Sequence, residues 1–432
     1  MLTSEQNERW TRVGQGTPCG ELMRRYWHPI AASMQLPEHG TKPVRILGES
    51  LVLYRDRSGR LGLVEERCPH RRGGLVFGIP EEAGIRCAYH GWLFDGTGRC
   101  LEQPYEALVD PANVFKDKVR IKAYPVEELG GLIFAYLGPE PAPLLPRWDL
   151  LVNEDLIREI GWAAVPCNWL QCIENAIDGS HAAYLHGRFS NYVLEQLGAA
   201  DLRREIGSYF NKSGWEPHKY GILATRISSP GVSEPIGDLV LFPCFPMMAD
   251  DSLQIRVPVD DTHTLFIWYN TFGAEGRAEL RIKEQPPQDP RRAPVYEVPM
   301  PKMDEAGGVP WEMLDNNGSQ DLAMWYSMGD ISDRTKEHLG YGDAGVVLYR
   351  KLLENQIKIV EDGGEPINTF RDPGANRSID TTIVGKVGGL GFFEHLRGGR
   401  VNRTHAARKY SPIYREATRQ IEGEEALSRP IY

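Results

Sequence analysis

Cys68-Pro69-His70-Arg71-Arg72-Gly73-Gly74 and, after sixteen residues beyond His70, Cys87-Ala88-Tyr89-His90-Gly91-Trp92-Leu93-Phe94-Asp95 decide how this chain is read. Each segment supplies one thiol and one imidazole. Together the four side chains can hold a zinc ion or a centre of two irons and two sulfides. Pairing Cys with His inside each segment departs from the Cys-with-Cys and His-with-His spacing of zinc sites. It suits a cluster with Cys68 and Cys87 on one iron and His70 and His90 on the other, a ligand set that raises the reduction potential. Gly73, Gly74 and Gly91 would let main-chain N–H groups approach the bridging sulfides. Four ligand-type residues within 23 positions are poorly explained as unrelated core side chains.

Around these segments the pattern is that of short strands. Val44–Leu47, Leu51–Tyr54 and Leu61–Glu65 are apolar runs, and Asp56-Arg57-Ser58-Gly59 and Asp95-Gly96-Thr97-Gly98 are hairpin turns. The first forty residues read as helical, with Glu21–Trp27 as an amphipathic piece. Leu129–Leu137 reads as a buried strand, far short of the roughly 20 apolar residues of a membrane helix. Prolines 139, 141, 143 and 146 mark a boundary. Residues 1–145 are thus expected to form an N-terminal helix and an all-β metal-binding domain, and residues 146–432 a second domain.

The second part mixes a helical stretch, Asn168–Leu185, with strand-like runs at Tyr220–Ile227, Asp238–Phe242, Gln254–Val259 and Thr264–Phe272. Helices follow at Gln320–Ser327 and Ala344–Val360. The expected class is α+β, an antiparallel sheet flanked by helices. A net charge of −10 argues against nucleic-acid binding. The polar, acidic N-terminus lacks a secretory signal, and seven cysteines in 432 residues fit a reducing cytoplasm.

A second group of candidate ligands lies in Glu174-Asn175-Ala176-Ile177-Asp178-Gly179-Ser180-His181, followed by His186. On one helix Asp178 and His181 share a face, while His186 falls about 140° further round. Both imidazoles reach one metal only if the helix ends, widens or bulges between them. Two histidines and one carboxylate form the facial triad of iron(II) oxygenases. The carboxylate is open to choice among Asp315, Asp321, Asp330 and Asp333.

The two cysteine–histidine segments resemble the Rieske domain of ring-hydroxylating oxygenases. The pattern Glu-x3-Asp-x2-His-x4-His resembles the catalytic helix of the same family. Arg12–Pro18, Arg24–Trp27 and Met328–Gly340 are similar to the phthalate dioxygenase branch, which includes aromatic O-demethylases. The resemblance implies a Rieske 2Fe–2S cluster on Cys68, His70, Cys87 and His90, and mononuclear Fe(II) on His181, His186 and Asp321. It makes Asp178 the carboxylate that holds His181 and meets His90 of a neighbouring subunit. Asn168 resembles the family's asparagine near the iron, though Asn before a helix equally serves as a cap. The resemblance further implies a homotrimer or stacked trimers, ring hydroxylation or O-demethylation of an aromatic, carboxylated substrate with O2, and no membrane association. Arg226, Arg256, His218 and Lys219 are candidates for a substrate carboxylate, with Arg226 taken forward. The chain has no dinucleotide fingerprint and no Cys-x4-Cys-x2-Cys run, so electrons would come from a separate NAD(P)H-dependent reductase. The alternatives are a Rieske electron carrier without oxygenase activity and a zinc-stabilised binding module.

Overall fold

A computed structural model describes residues 2–203, 212–227, 236–248, 252–382, 401 and 405–431. The cysteine–histidine segments belong to two small antiparallel sheets. One orders Thr41–Ile46, Glu49–Arg55, Leu61–Glu65 and Ala123–Tyr124, and the other Ile79–Glu81, Gly84–Arg86, Leu93–Phe94 and Cys100–Glu102. Strand Glu49–Arg55 is buried on both faces, so its side chains alternate between two cores. Val52 and Tyr54 join Leu75, Ile85 and Phe94 around the two cysteines, while Leu51 and Leu53 point into the main core. Both expected hairpin turns form, with Gly59 and Gly98 at positive φ.

Two expectations for the N-terminal part are corrected. Helix covers only Ser4–Thr11 and Pro18–Met23, and Trp27–Ala32 is a fully buried strand. The run Leu129–Leu137 is not one strand. Gly130 and Gly131, at φ +61° and +86°, turn the chain between Val126–Leu129 and Leu132–Tyr136, and the latter pairs with Trp27–Ala32 on its other edge.

The larger sheet carries eight strands among the described residues. Their order is Lys212–His218, Gly221–Ile227, Ile236–Leu241, Phe245–Met248, Ser252–Asp260, His263–Phe272, Ile157–Val165 and Val295–Glu297. All neighbours run antiparallel except the last, which lies parallel to Ile157–Val165. Helices Trp169–Ile177 and Ala344–Glu361 pack on this sheet, and Asn317–Ser327 packs on the first of them. The apolar residues Phe242, Phe245, Met247 and Trp268 are all core. The main core runs continuously from Trp10 through Phe134 and Ile160 to Tyr349 and Ile379. No helix among the described residues is long and apolar enough to cross a membrane.

A buried ion network ties these helices together. Arg334 donates from Nη2 to Glu174 Oε2 at 2.8 Å, and Arg350 donates from Nε to Glu174 Oε1 at 2.6 Å and from Nη1 to Glu337 Oε2 at 2.7 Å. Arg334 also donates to Asn7 of the N-terminal helix. Burial opposes ionisation of Glu174, but the two guanidinium groups win and hold its carboxyl below the usual range. It therefore stabilises the fold at neutral pH and loses that contribution as acid titrates it. Glu174→Ala, which strands the buried cation of Arg334 and leaves Arg350 with Glu337 alone, should cost about 3–5 kcal/mol in urea unfolding. A loss within error of zero would show that the network is not structural.

Candidate metal sites

The two Rieske-like loops share one main-chain pattern. Cys68 N donates to Gly73 O at 2.9 Å and Arg72 N to Cys68 O at 2.9 Å; Cys87 N donates to Trp92 O at 2.8 Å and Gly91 N to Cys87 O at 2.9 Å. Each loop turns on a left-handed residue, Arg72 at φ +60° and Gly91 at φ +77°, a conformation that favours glycine. Both cysteines are buried and the two imidazoles lie toward the surface, with ring centroids 4.4 Å apart. His70 stacks on Trp92 at 4.5 Å. Its Nδ1 is buried with no hydrogen-bond partner, as expected of an atom reserved for a metal. Burial and the neighbouring Cys87 sulfur push the Cys68 thiol up to about 12, so its thiolate form needs a cation beside it. These residues fit a cluster.

The second site grows from helix Trp169–Ile177. Asn168 caps it, accepting from Leu170 N at 3.1 Å, and at Asp178 the backbone leaves the helix. Ser180 N and Oγ then donate to Asp178 Oδ1 at 2.7 and 2.6 Å, fixing the turn. The chain re-enters a helix at His181–Ala183 and continues as a π-helix over Tyr184–Phe189. That is the widening that the five-residue spacing demands, and it brings the rings of His181 and His186 to 5.1 Å.

Both imidazoles are oriented by acceptors that have no proton of their own. His181 Nδ1 donates to the main-chain oxygen of Asp178 at 2.6 Å, and His186 Nδ1 donates to Gln320 Oε1 at 2.9 Å. Gln320 is itself held, donating from Nε2 to Leu314 O at 2.8 Å. With Nδ1 engaged in this way, each Nε2 is the ring atom turned to a metal. Those atoms meet Asp321, whose Oδ1 lies 3.2 Å from His186 Nε2 and 3.8 Å from His181 Nε2. All three ligand-type atoms fall within 4.8 Å of one another. Burial favours the neutral form of Asp321, yet the nearby histidines hold it below the usual carboxylate range. Two neutral nitrogens and one carboxylate oxygen can take a divalent metal and leave positions open. Gln320→Leu removes the acceptor behind His186 and should weaken Fe(II) or Co(II) binding about 10- to 100-fold in a metal titration. Unchanged affinity would contradict this orienting role.

Of the four candidate aspartates only Asp321 meets the histidines. Asp315 pairs with Lys409 at 2.5 Å, Asp330 is exposed at the end of the helix, and Asp333 caps a short turn. Asp178 meets His181 twice, its main-chain oxygen accepting from Nδ1 at 2.6 Å and its carboxylate lying 3.7 Å from the same atom, at a turn rather than on one helix. One sequence expectation is corrected. Asn168 is a buried cap whose amide donates to Thr11 O and Asp261 O at 2.9 and 2.7 Å, so it has no group left for the metal site. The asparagine at the site is Asn175, which donates to Asp321 Oδ1 at 3.2 Å. Its signal is the polar stripe Gln171, Glu174, Asn175, Asp178 on an otherwise apolar helix, spaced at one helical face. Gln320 had no such signal. Arg226 sits on strand Gly221–Ile227, and its side chain lies outside the described residues. A cavity of about 630 Å³ opens beside the site, with Asn175, Asp178 and His181 on its wall.

Known proteins resemble this chain over most of its length. Residues 26–124 match the Rieske [2Fe-2S] domain, and residues 312–385 match a LigXa C-terminal domain like family. The chain is 39% identical to the 5,5'-dehydrodivanillate O-demethylase oxygenase subunit of Sphingobium sp., over 89% of this chain and 87% of that protein. It is 32% identical to the phthalate 4,5-dioxygenase oxygenase subunit of Pseudomonas putida, over 85% and 89%. The terminal oxygenase of carbazole 1,9a-dioxygenase from Novosphingobium sp. KA1 shares the fold, with a TM-score of 0.56, 21% identity and coverage of 81% and 97%. The zinc-module and electron-carrier alternatives fall with these matches. A Rieske domain followed by a His–His–Asp site, across nearly the full length of such relatives, means that the chain belongs to the Rieske non-heme iron oxygenases as an oxygenase subunit.

Proposed function

We propose that the enzyme inserts oxygen from O2 into an aromatic carboxylate, by ring hydroxylation or O-demethylation, at a mononuclear iron held by His181, His186 and Asp321. The convergence of those three side chains within 4.8 Å carries the reading. When bound, the cluster on Cys68, His70, Cys87 and His90 supplies single electrons and the ferrous iron activates dioxygen. The chain's own residues prepare the site. Asp178 O and Gln320 Oε1 fix the protons on the two imidazoles, and Asn175 holds the carboxylate of Asp321. Leu322 and Trp325, both fully buried, follow Asp321 on its helix and keep water from that part of it. Dehydrodivanillate and phthalate, in the names of the two relatives, are aromatic carboxylates, which supports the substrate class.

The working unit in this reading is a homotrimer, or stacked trimers, in which residues 1–145 of one copy bring His90 to Asp178 in residues 146–432 of the next. Two sets of exposed apolar side chains support it: Phe77 and Tyr89 on or next to the cluster loops, and Tyr184, Met328 and Leu339 around the cavity at Asp178. Contiguous exposed apolar surface of this kind marks interaction sites. A separate NAD(P)H-dependent reductase feeds the cluster, in the cytoplasm. The test is turnover of a panel of aromatic carboxylates and methoxyarenes with a surrogate reductase and labelled dioxygen. Labelled product, or formaldehyde from a methoxyarene, is expected; coupling of oxygen uptake to none of the panel would overturn the substrate class.

A further inference from the structure

Arg256 lies in strand Ser252–Asp260 and is 1% exposed. Its guanidinium donates from Nη1 to Gln254 O at 2.6 Å and from Nη2 to Gln254 Oε1 at 2.9 Å, while Nε has no partner. Among the described residues no carboxylate comes within ion-pair distance of it. Two ring faces also lie against it, Phe266 at 4.7 Å and Trp325 at 5.5 Å. A buried cation without a carboxylate partner is costly, and an apolar side chain of similar volume would fill the space at lower cost. Burial lowers its pKa to about 10, which still leaves it charged at neutral pH.

Through Trp325, Arg256 meets the helix that carries Asp321. Trp325 follows Asp321 by four residues in helix Asn317–Ser327, so the two share a face. Helical side chains lean toward the N-terminus, which lays the Trp325 ring over the turn that carries Asp321. The guanidinium, 5.5 Å from that ring, lies within electrostatic reach of Asp321. Among acidic groups, Asp321 acts on it most strongly.

We propose that Arg256 is a positioning residue that acts by charge: its buried guanidinium sets the electrostatic potential at the mononuclear site, favouring ferrous over ferric metal and loosening divalent binding. The inference rests on the reading in which His181, His186 and Asp321 hold iron. The sign follows from Coulomb's law, since a fixed positive charge disfavours the more positive metal state. Low effective screening in a buried setting makes the effect felt without contact.

The test uses the full chain with its cluster and compares the parent with Arg256→Gln. Co(II) titration reads affinity, and a redox titration followed by electron paramagnetic resonance reads the ferric-to-ferrous ratio. Arg256→Gln should bind Co(II) about tenfold more tightly and raise that ratio about tenfold at fixed potential, which is about 59 mV for a one-electron couple. Arg256→Lys, which keeps the charge, should restore parent values. If the glutamine variant is not recovered folded, Arg256→Met, which leaves no amide to satisfy, carries the same comparison. Parent-like affinity and ratio in folded Arg256→Gln or Arg256→Met would overturn the proposal. So would a raised KM for a carboxylated substrate with both metal readouts unchanged, since that is a substrate anchor. A parent chain that binds no metal at all would instead overturn the His181–His186–Asp321 reading beneath it.

Discussion

Asp321→Ala should lose the mononuclear metal, keep the cluster with its visible absorbance, and turn over at least about 10^3-fold more slowly, because bound metal supplies several kcal/mol of the activation. The separation is expected from where the residues sit. Asp321 is on helix Asn317–Ser327, while the cluster loops have their own core around Val52, Leu75 and Ile85. Removing a carboxylate from a pocket that also holds two imidazoles leaves no buried anion behind, so the fold should survive. His181→Ala should behave in the same way. Metal analysis, cluster absorbance and product formation are measured on one preparation. Retained turnover in Asp321→Ala would mean that another group completes the site.

Asp178→Asn separates electron delivery from metal binding. The main-chain oxygen of Asp178 orients His181, and the substitution leaves that atom in place. Both metals should therefore be retained. What changes is the carboxylate itself, held below its usual pKa by His181 and Ser180 against the opposing effect of burial, and so ionised at neutral pH. In the proposed trimer this charge meets His90 of the next copy. Its loss should slow oxidation of a pre-reduced cluster about 10- to 100-fold in single turnover with substrate, the range for removing an outer carboxylate partner. Parent-like oxidation would remove Asp178 from the electron path, and loss of metal would assign its carboxylate to holding His181.

What the sequence made legible was local. The cluster residues sit on two short loops whose glycines and spacing encode their own turns, so no distant pairing was needed to read them. An irregularity between His181 and His186 followed from the same kind of reasoning, since five residues do not fit one face of an α-helix, and of an end, a widening or a bulge the structure has the π-helix. Asp321 required the resemblance, because nothing near it in sequence distinguishes it from Asp315 or Asp330; only the fold carries it to the histidines. Strand Ile157–Val165 was missed for a physical reason. Arg158 and Glu159 break its apolar run, yet both are buried, Arg158 donating to Tyr269 Oη and Glu159 accepting from Asn270 Nδ2 and Ser411 Oγ. Those partners lie more than a hundred residues away. The part played by Gln320 was hidden by the same long-range packing, Arg256 was read only as a candidate for a substrate carboxylate, and the asparagine that meets Asp321 is Asn175 rather than Asn168.

The central claim is that one chain carries both a histidine-ligated iron–sulfur cluster and a separate iron with open positions. Electron paramagnetic resonance of the purified, reduced protein before and after nitric oxide tests it most directly. The account predicts the cluster signal in both spectra and, after nitric oxide, a second signal from a ferrous–nitrosyl centre that disappears in Asp321→Ala. A protein that shows the cluster alone, with no nitric oxide response in the parent chain, would contradict it.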